Sequence, residues 1–98
     1  MDLDLLQRLN HESVRQMKTP FRSASEVVLA LTEELGEIAQ EVALLERVGS
    51  KSQWDKSPSV ERLAEEMAQL TNLIAVLANH YEIDLAGTLA NSWTKEAK

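Results

Sequence analysis

Apolar residues in the first half of the chain recur at Val28, Leu31, Leu35, Ile38, Val42 and Leu45, with spacings of 3, 4, 3, 4 and 3. That rhythm is one stripe of an α-helix that packs one side against other helices. A second stripe, Val60, Leu63, Met67, Leu70, Ile74, Leu77 and Tyr81, repeats it. From Met67 to Ala78 the second segment is apolar nearly all round, because Ala68, Leu73, Ala75, Val76 and Ala78 lie off the stripe. A helix of that kind belongs at the centre of a bundle, and in so small a protein its burial requires a second subunit.

Local signals divide the chain into four helices. Asp2 to about Met17 forms the first, with Leu5, Leu6, Leu9, Val14 and Met17 inward and Asp2 or Asp4 at its positive end. Thr19-Pro20 breaks it, since the residue before proline is biased away from helix. Ser23 or Ser25 caps the second helix, Glu26 sits in its first turn, and Gly49 stops it after Arg47 or Val48. Ser57 as N-cap and Pro58 at the first helical position open the third, which runs to Tyr81. Asp84 caps a last helix from Leu85 to about Glu96. Gly36, inside the second helix, leaves room for close approach by a neighbouring helix or a ligand.

Glu34, Glu37 and Glu41 each precede a member of the first stripe by one position, so they line up beside the packed seam. No Lys or Arg occurs between Arg22 and Arg47, an interval that holds Glu33, Glu34, Glu37, Glu41 and Glu46. A solvated, salt-bridged surface needs basic partners one turn away, and here they are missing. Unrelieved like-charge pairs cost roughly 0.2–0.5 kcal/mol each on an isolated helix, and a divalent cation relieves them. The two readings, a surface face and a cation site, stand level on this feature alone. Arg62, Glu66, Gln69 and Asn72 draw a matching polar line on the third helix, and Glu66 and Gln69 carry the same one-residue offset from its stripe. If the two helices pack antiparallel, the polar lines converge and need mutual hydrogen bonds or a shared ion. Gln69 and Asn72 can equally serve as polar specifiers of helix register.

Composition narrows the field. The 98 residues suit one domain, 44% hydrophobic and 27% charged, with three Gly and two Pro. Without cysteine there is no thiolate nucleophile or thiolate metal site, so any metal takes oxygen ligands or one of the two histidines. His80 lies far along its helix from the glutamates. A net charge of −6 argues against a nucleic-acid polymer as partner but not against a small phosphorylated ligand screened by a cation or by Lys and Arg. No apolar run is long enough to span a membrane and no leader pattern is evident, so the cytoplasm is the expected compartment. Lys18, Phe21 and Arg22 in the first turn, Trp54 in the second loop, and Lys95 near the C-terminus are candidate ligand contacts. Each is also an ordinary solvated or core-covering residue.

Glu33-Glu34-Leu-Gly-Glu37, then Glu65-Glu66-Met-Ala-Gln69, then Leu77-Ala-Asn-His-Tyr-Glu-Ile-Asp84-Leu resembles the MazG-like, all-α nucleotide pyrophosphohydrolases over about Arg22 to Leu89. The resemblance implies an all-α, antiparallel helical bundle whose four-helix core is completed by dimerisation, in a homo-dimer or homo-tetramer. It also implies Mg²⁺, with Mn²⁺ as substitute, held by Glu-x-x-Glu on one helix and Glu-x-x-Asp on the next. Glu34, Glu37 and Glu66 match three of the four ligands. Gln69 stands where the family has Asp, and its carbonyl oxygen is an uncharged and weaker ligand. The implied reaction is hydrolysis of a nucleoside triphosphate to monophosphate and pyrophosphate. Glu33 or Glu41 would accept a proton, while Lys18, Arg22, Asn72 and Lys95 are the candidates for substrate contact. The alternatives are a catalytically silent relative that binds nucleotide or a partner, to which Gln69 points, and a plain helical dimerisation module.

Overall fold

The computed structural model describes residues 1–16, 23–49 and 56–96, with the side chains of 14–16, 95 and 96 excepted. The chain is all-helical over these residues: α1 (Leu3–Gln16), α2 (Ala24–Glu46), α3 (Val60–His80) and α4 (Leu85–Glu96). None of these helices is long and apolar enough to cross a membrane.

Short polar side chains set the helix starts by satisfying backbone N–H groups that have no partner within the helix. Asp2 Oδ1 accepts from the Leu5 amide at 2.8 Å, Ser23 Oγ from Glu26 at 3.3 Å and Asp84 Oδ1 from Gly87 at 3.2 Å. The start of α3 differs from expectation. Ser59, not Ser57, is its cap, with Oγ accepting from the Arg62 amide at 3.1 Å, and Pro58 lies outside the helix. At the other end of α2 the left-handed residue is Arg47 (φ 55), so the helix closes before Gly49. Its carbonyls are satisfied there by the Arg47 and Val48 amides, the latter reaching Ala43 O at 2.9 Å.

α3 is central, packing against both α2 and α1. Along α2 and α3, Glu41 meets Arg62, Glu37 meets Glu66, and Glu34 meets Gln69. Contacts thus move back along α3 as they move forward along α2. On the other side, Gln7 ties α1 to the α3–α4 corner. Its Nε2 donates to Asn79 Oδ1 at 2.9 Å and Ile83 O at 2.8 Å, and its Oε1 accepts from the Leu85 amide at 3.1 Å. Asn79 Nδ2 returns a bond to Gln7 O at 2.9 Å.

The expected stripes divide in two. On α3, Leu63, Leu70 and Leu77 are half-buried, whereas Val60, Met67, Ile74 and Tyr81 are exposed. On α2, Leu31 and Ile38 are half-buried while Val28, Leu35, Val42 and Leu45 are exposed. Alternate members of a 3-4 repeat point to opposite flanks of the stripe, and among the described residues one flank of each stripe is the better covered. The fully buried apolar side chains among the described residues are Val27, Leu44, Ala75, Val76 and Ala78, a thin core. Small residues at 75 and 78 let α3 sit close to its neighbours. Gly36 has no such role among the described residues, because a Cβ there would meet none of them within 4 Å.

Candidate metal centre

The helical spacing of Glu34 and Glu37 stacks them one turn apart on α2, and the register of α3 brings Glu66 across to them. One carboxylate oxygen from each of the three lies within 4.8 Å of the others. Glu34 and Glu66 are half-buried and Glu37 is exposed. Glu66 Oε2 is shielded from solvent and has no hydrogen-bond partner. A buried carboxylate oxygen left in that state is costly, and a cation or proton relieves it.

The electrostatics of Glu37 report the same crowding. Its carboxyl is raised above the ordinary 4.5, first by a hydrogen bond with Glu66, then by the repulsion of the Glu66 charge and by desolvation. A hydrogen bond with Glu34 and the positive charge of Lys56 oppose the rise. Two carboxylates this close favour sharing a proton when no cation is present.

Gln69 completes the cluster as a donor. With its amide oriented so that both groups are satisfied, the nitrogen donates to Glu34 Oε1 at 2.9 Å and Oε2 at 3.2 Å. It therefore presents its amide N–H to Glu34 rather than the carbonyl oxygen expected of a ligand. Such a bond fixes the Glu34 rotamer, the task that hydrogen-bonding neighbours perform for metal-binding side chains.

The three acids fit a hard divalent cation. Oxygens around Mg²⁺ at 2.0–2.1 Å stand roughly 3–4 Å apart, of the order of the present spacing. Three negative charges suit the charge of the ion, and water or phosphate oxygens suit the remaining positions.

The other expected site residues are dispersed. Glu33 is exposed on α2. Glu41 is 8% exposed and both of its oxygens accept from Arg62 Nε at 3.1 Å, so it is committed to an ion pair. Asn72 is exposed and its Oδ1 accepts from Asn10 Nδ2 at 3.5 Å, a long contact to α1. His80 and Trp93 are exposed. Lys18, Phe21, Arg22 and Trp54 lie outside the described residues, as does the side chain of Lys95.

Two partnerships have no signal in helical spacing. Arg62 stands in a polar line on its own helix, and its role as counter-ion to Glu41 requires the α2–α3 register. Lys56 precedes α3, and nothing in its neighbourhood in the sequence marks the lowering effect of its charge on the Glu37 carboxyl. The chain matches no family model, no curated protein and no solved structure.

Proposed function

We propose that the chain is a Mg²⁺-dependent nucleoside triphosphate pyrophosphohydrolase that works as a homo-oligomer, with Mn²⁺ as a substitute ion. The observation that carries this reading is the meeting of Glu34, Glu37 and Glu66 across two helices, with one Glu66 oxygen shielded and unpartnered. Convergence of three acids with one oxygen shielded and unpartnered favours an ion over a solvated acidic face. The choice of substrate rests on the resemblance of the two Glu-x-x motifs to those of the MazG-like enzymes.

When bound, Mg²⁺ would neutralise phosphate charge and polarise a water for attack on the α-phosphorus. Glu34, Glu37 and Glu66 would hold the ion, and Gln69 would keep Glu34 in its holding rotamer. Between the two candidate proton acceptors, Glu33 is the exposed one, whereas Glu41 is engaged by Arg62. Glu33 would be the one free to accept a proton from the attacking water, as the bond between the α- and β-phosphates breaks to leave monophosphate and pyrophosphate.

Association follows from the thin core. Val28, Leu35 and Val42 on α2, with Met67, Ile74 and Tyr81 on α3, are large apolar side chains left exposed on the two stripes. Packing two such antiparallel α2–α3 pairs together seats the outward flank of each stripe and makes a four-helix core in a dimer, or twice over in a tetramer.

The test is pyrophosphate release from a panel of standard and modified deoxynucleoside triphosphates. Release should require Mg²⁺ and disappear in Glu34→Gln and Glu37→Gln; activity surviving both changes refutes the site. A second reading, a silent nucleotide-binding subunit, is favoured by Gln69, which gives Glu34 a hydrogen bond where a fourth carboxylate would add charge.

A further inference from the structure

The exposed members of the two stripes share a symmetry. On α2 they include Val28, Leu35 and Val42, and on α3 Val60, Met67 and Ile74, with Tyr81 continuing the second series. In each triplet the outer members stand seven residues either side of the middle one. Three pairs across the helices, Glu34 with Gln69, Glu37 with Glu66 and Glu41 with Arg62, hold one register. In that register Leu35 stands level with Ala68, one residue or about 1.5 Å from Met67. The middles of the two triplets therefore lie at one height along the α2–α3 pair.

Both triplets also face the same way. Each residue of a helix turns by about 100° from the last, so Leu35 is one such step past Glu34, and Met67 is one step past Glu66. Glu34 and Glu66 lie where the two helices meet. Equal turns away from the contact on two antiparallel helices lead to one side of the layer they form. The acidic centre opens on the other side: Glu37 is about 160° round α2 from Leu35, and Gln69 is as far round α3 from Met67. Between Val28 and Leu45, and between Val60 and Ile74, no charged residue comes within about 100° of the middle of either strip. Thr32 and Thr71, which lie between triplet members, turn their hydroxyls back onto Val28 O at 2.9 Å and Met67 O at 2.8 Å. Both can be buried with their donors satisfied.

We propose that a second copy of this chain covers this side, related by a two-fold axis that crosses the helices at Leu35 and Met67. The two acidic centres are then left on the outer surfaces of the dimer. The inference rests on the association proposed above and adds the face and the axis to it. A two-fold axis brings a surface onto itself, so the patch it uses must read the same after reversal. The triplets meet that condition. Reversal about Leu35 sets Val28 on Val42, and reversal about Met67 sets Val60 on Ile74. An unrelated partner imposes no such rule on spacing or height. Charge agrees with the axis. Glu46 is exposed in the last turn of α2, at the negative end of its own helix, and no basic residue shares that turn. Reversal about Leu35 carries Glu46 to Ala24 of the other copy, at the positive helix end where Ser23 is the cap.

The chain has no cysteine, so introduced cysteines report the axis. A residue on a two-fold axis meets its own copy, whereas one seven residues away stands about 21 Å from its own copy along antiparallel helices. A disulfide needs Cα atoms within about 7 Å. Under mild oxidation of the full chain, Leu35→Cys and Met67→Cys should each yield a disulfide-linked dimer. Val28→Cys and Val42→Cys should each stay unlinked alone, and the double variant carrying both should link. Glu65→Cys, about 160° round α3 from Met67, should stay unlinked. Leu35 and Met67 lie on different helices, so either variant carries the test if the other fails to fold. A wild-type mass of one chain in light scattering overturns the association and this inference together. A wild type of higher mass whose Leu35→Cys and Met67→Cys both stay unlinked overturns this inference alone. So does Val28→Cys linking as fast as Leu35→Cys, or Glu65→Cys linking as fast as Met67→Cys.

Discussion

The amide nitrogen of Gln69 stands 2.9 Å from one carboxylate oxygen of Glu34 and 3.2 Å from the other. A neutral donor at this position relieves a cluster that an acid would charge further. Gln69→Asp therefore acts in opposite directions with and without metal. In EDTA the variant should melt below the wild type, because four carboxylates now repel. With Mg²⁺ it should bind the ion about tenfold more tightly, since charged oxygen replaces an amide. Turnover that appears only in the variant identifies the natural chain as a silent binder; turnover that is unchanged or reduced identifies a competent enzyme adapted to Gln69.

Glu37 makes metal-free stability depend on pH. Its folded-state pKa lies above the ordinary 4.5 because of its hydrogen bond with, and the repulsion from, Glu66. The protonated form is thus the one that favours folding, fully so below the unfolded value, and its contribution is lost as pH rises through the folded value. Melting in EDTA should weaken over that interval. Glu37→Gln, which mimics the protonated acid, should flatten this dependence and raise the melting temperature at neutral pH. With saturating Mg²⁺ the order should reverse at neutral pH, because the variant lacks a ligand. A wild-type profile in EDTA that matches Glu37→Gln at every pH would rule out the crowding.

Glu41 and Arg62 differ in burial, with side chains 10% and 40% exposed. Deleting the cation strands the more buried acid, so Arg62→Met should be the more harmful single change. We expect a loss of about 2 kcal/mol, discounted from the 3–5 kcal/mol of fully buried pairs for the solvent around Arg62. Glu41→Leu should cost less, and the double replacement should return to within about 1 kcal/mol of wild type. Urea denaturation of the three variants measures this order.

Ile74 lies on the outward flank of α3, with Val60, Met67 and Tyr81 among the exposed members of the stripe. If the chain associates as proposed, Ile74→Glu should bring the mass in light scattering down to the 11.0 kDa of one chain. It should also lower the melting temperature, because the core that the partner completes is lost. A wild-type mass of one chain would contradict the association outright.

The helices and their ends were legible in the sequence. Periodicity of 3.6 and a hydroxyl or carboxylate three residues ahead of an unpaired amide act within one or two turns, and no distant part of the chain overrides them. Asp84 before Leu85 and Ser23 before Glu26 are of this kind. Ser57-Pro58 shows the limit, because two serines two positions apart offer the same chemistry and geometry selected Ser59. The trio Glu34, Glu37 and Glu66 was also legible, since equal offsets from two matching stripes bring them together once the stripes face each other.

What the stripes could not tell is which flank faces inward. A repeat of 3 and 4 is symmetrical about its own line, and the tertiary packing turned Leu63, Leu70 and Leu77 in while leaving Met67 and Ile74 outside. The same rotation carried Glu41 into the interior, where Arg62 from 21 residues away became its partner. It also set the amide of Gln69 against Glu34. Local periodicity determines that a helix has a polar line. The angle at which two helices meet decides whether that line ends as a solvated edge, a buried ion pair or a cluster of converging acids.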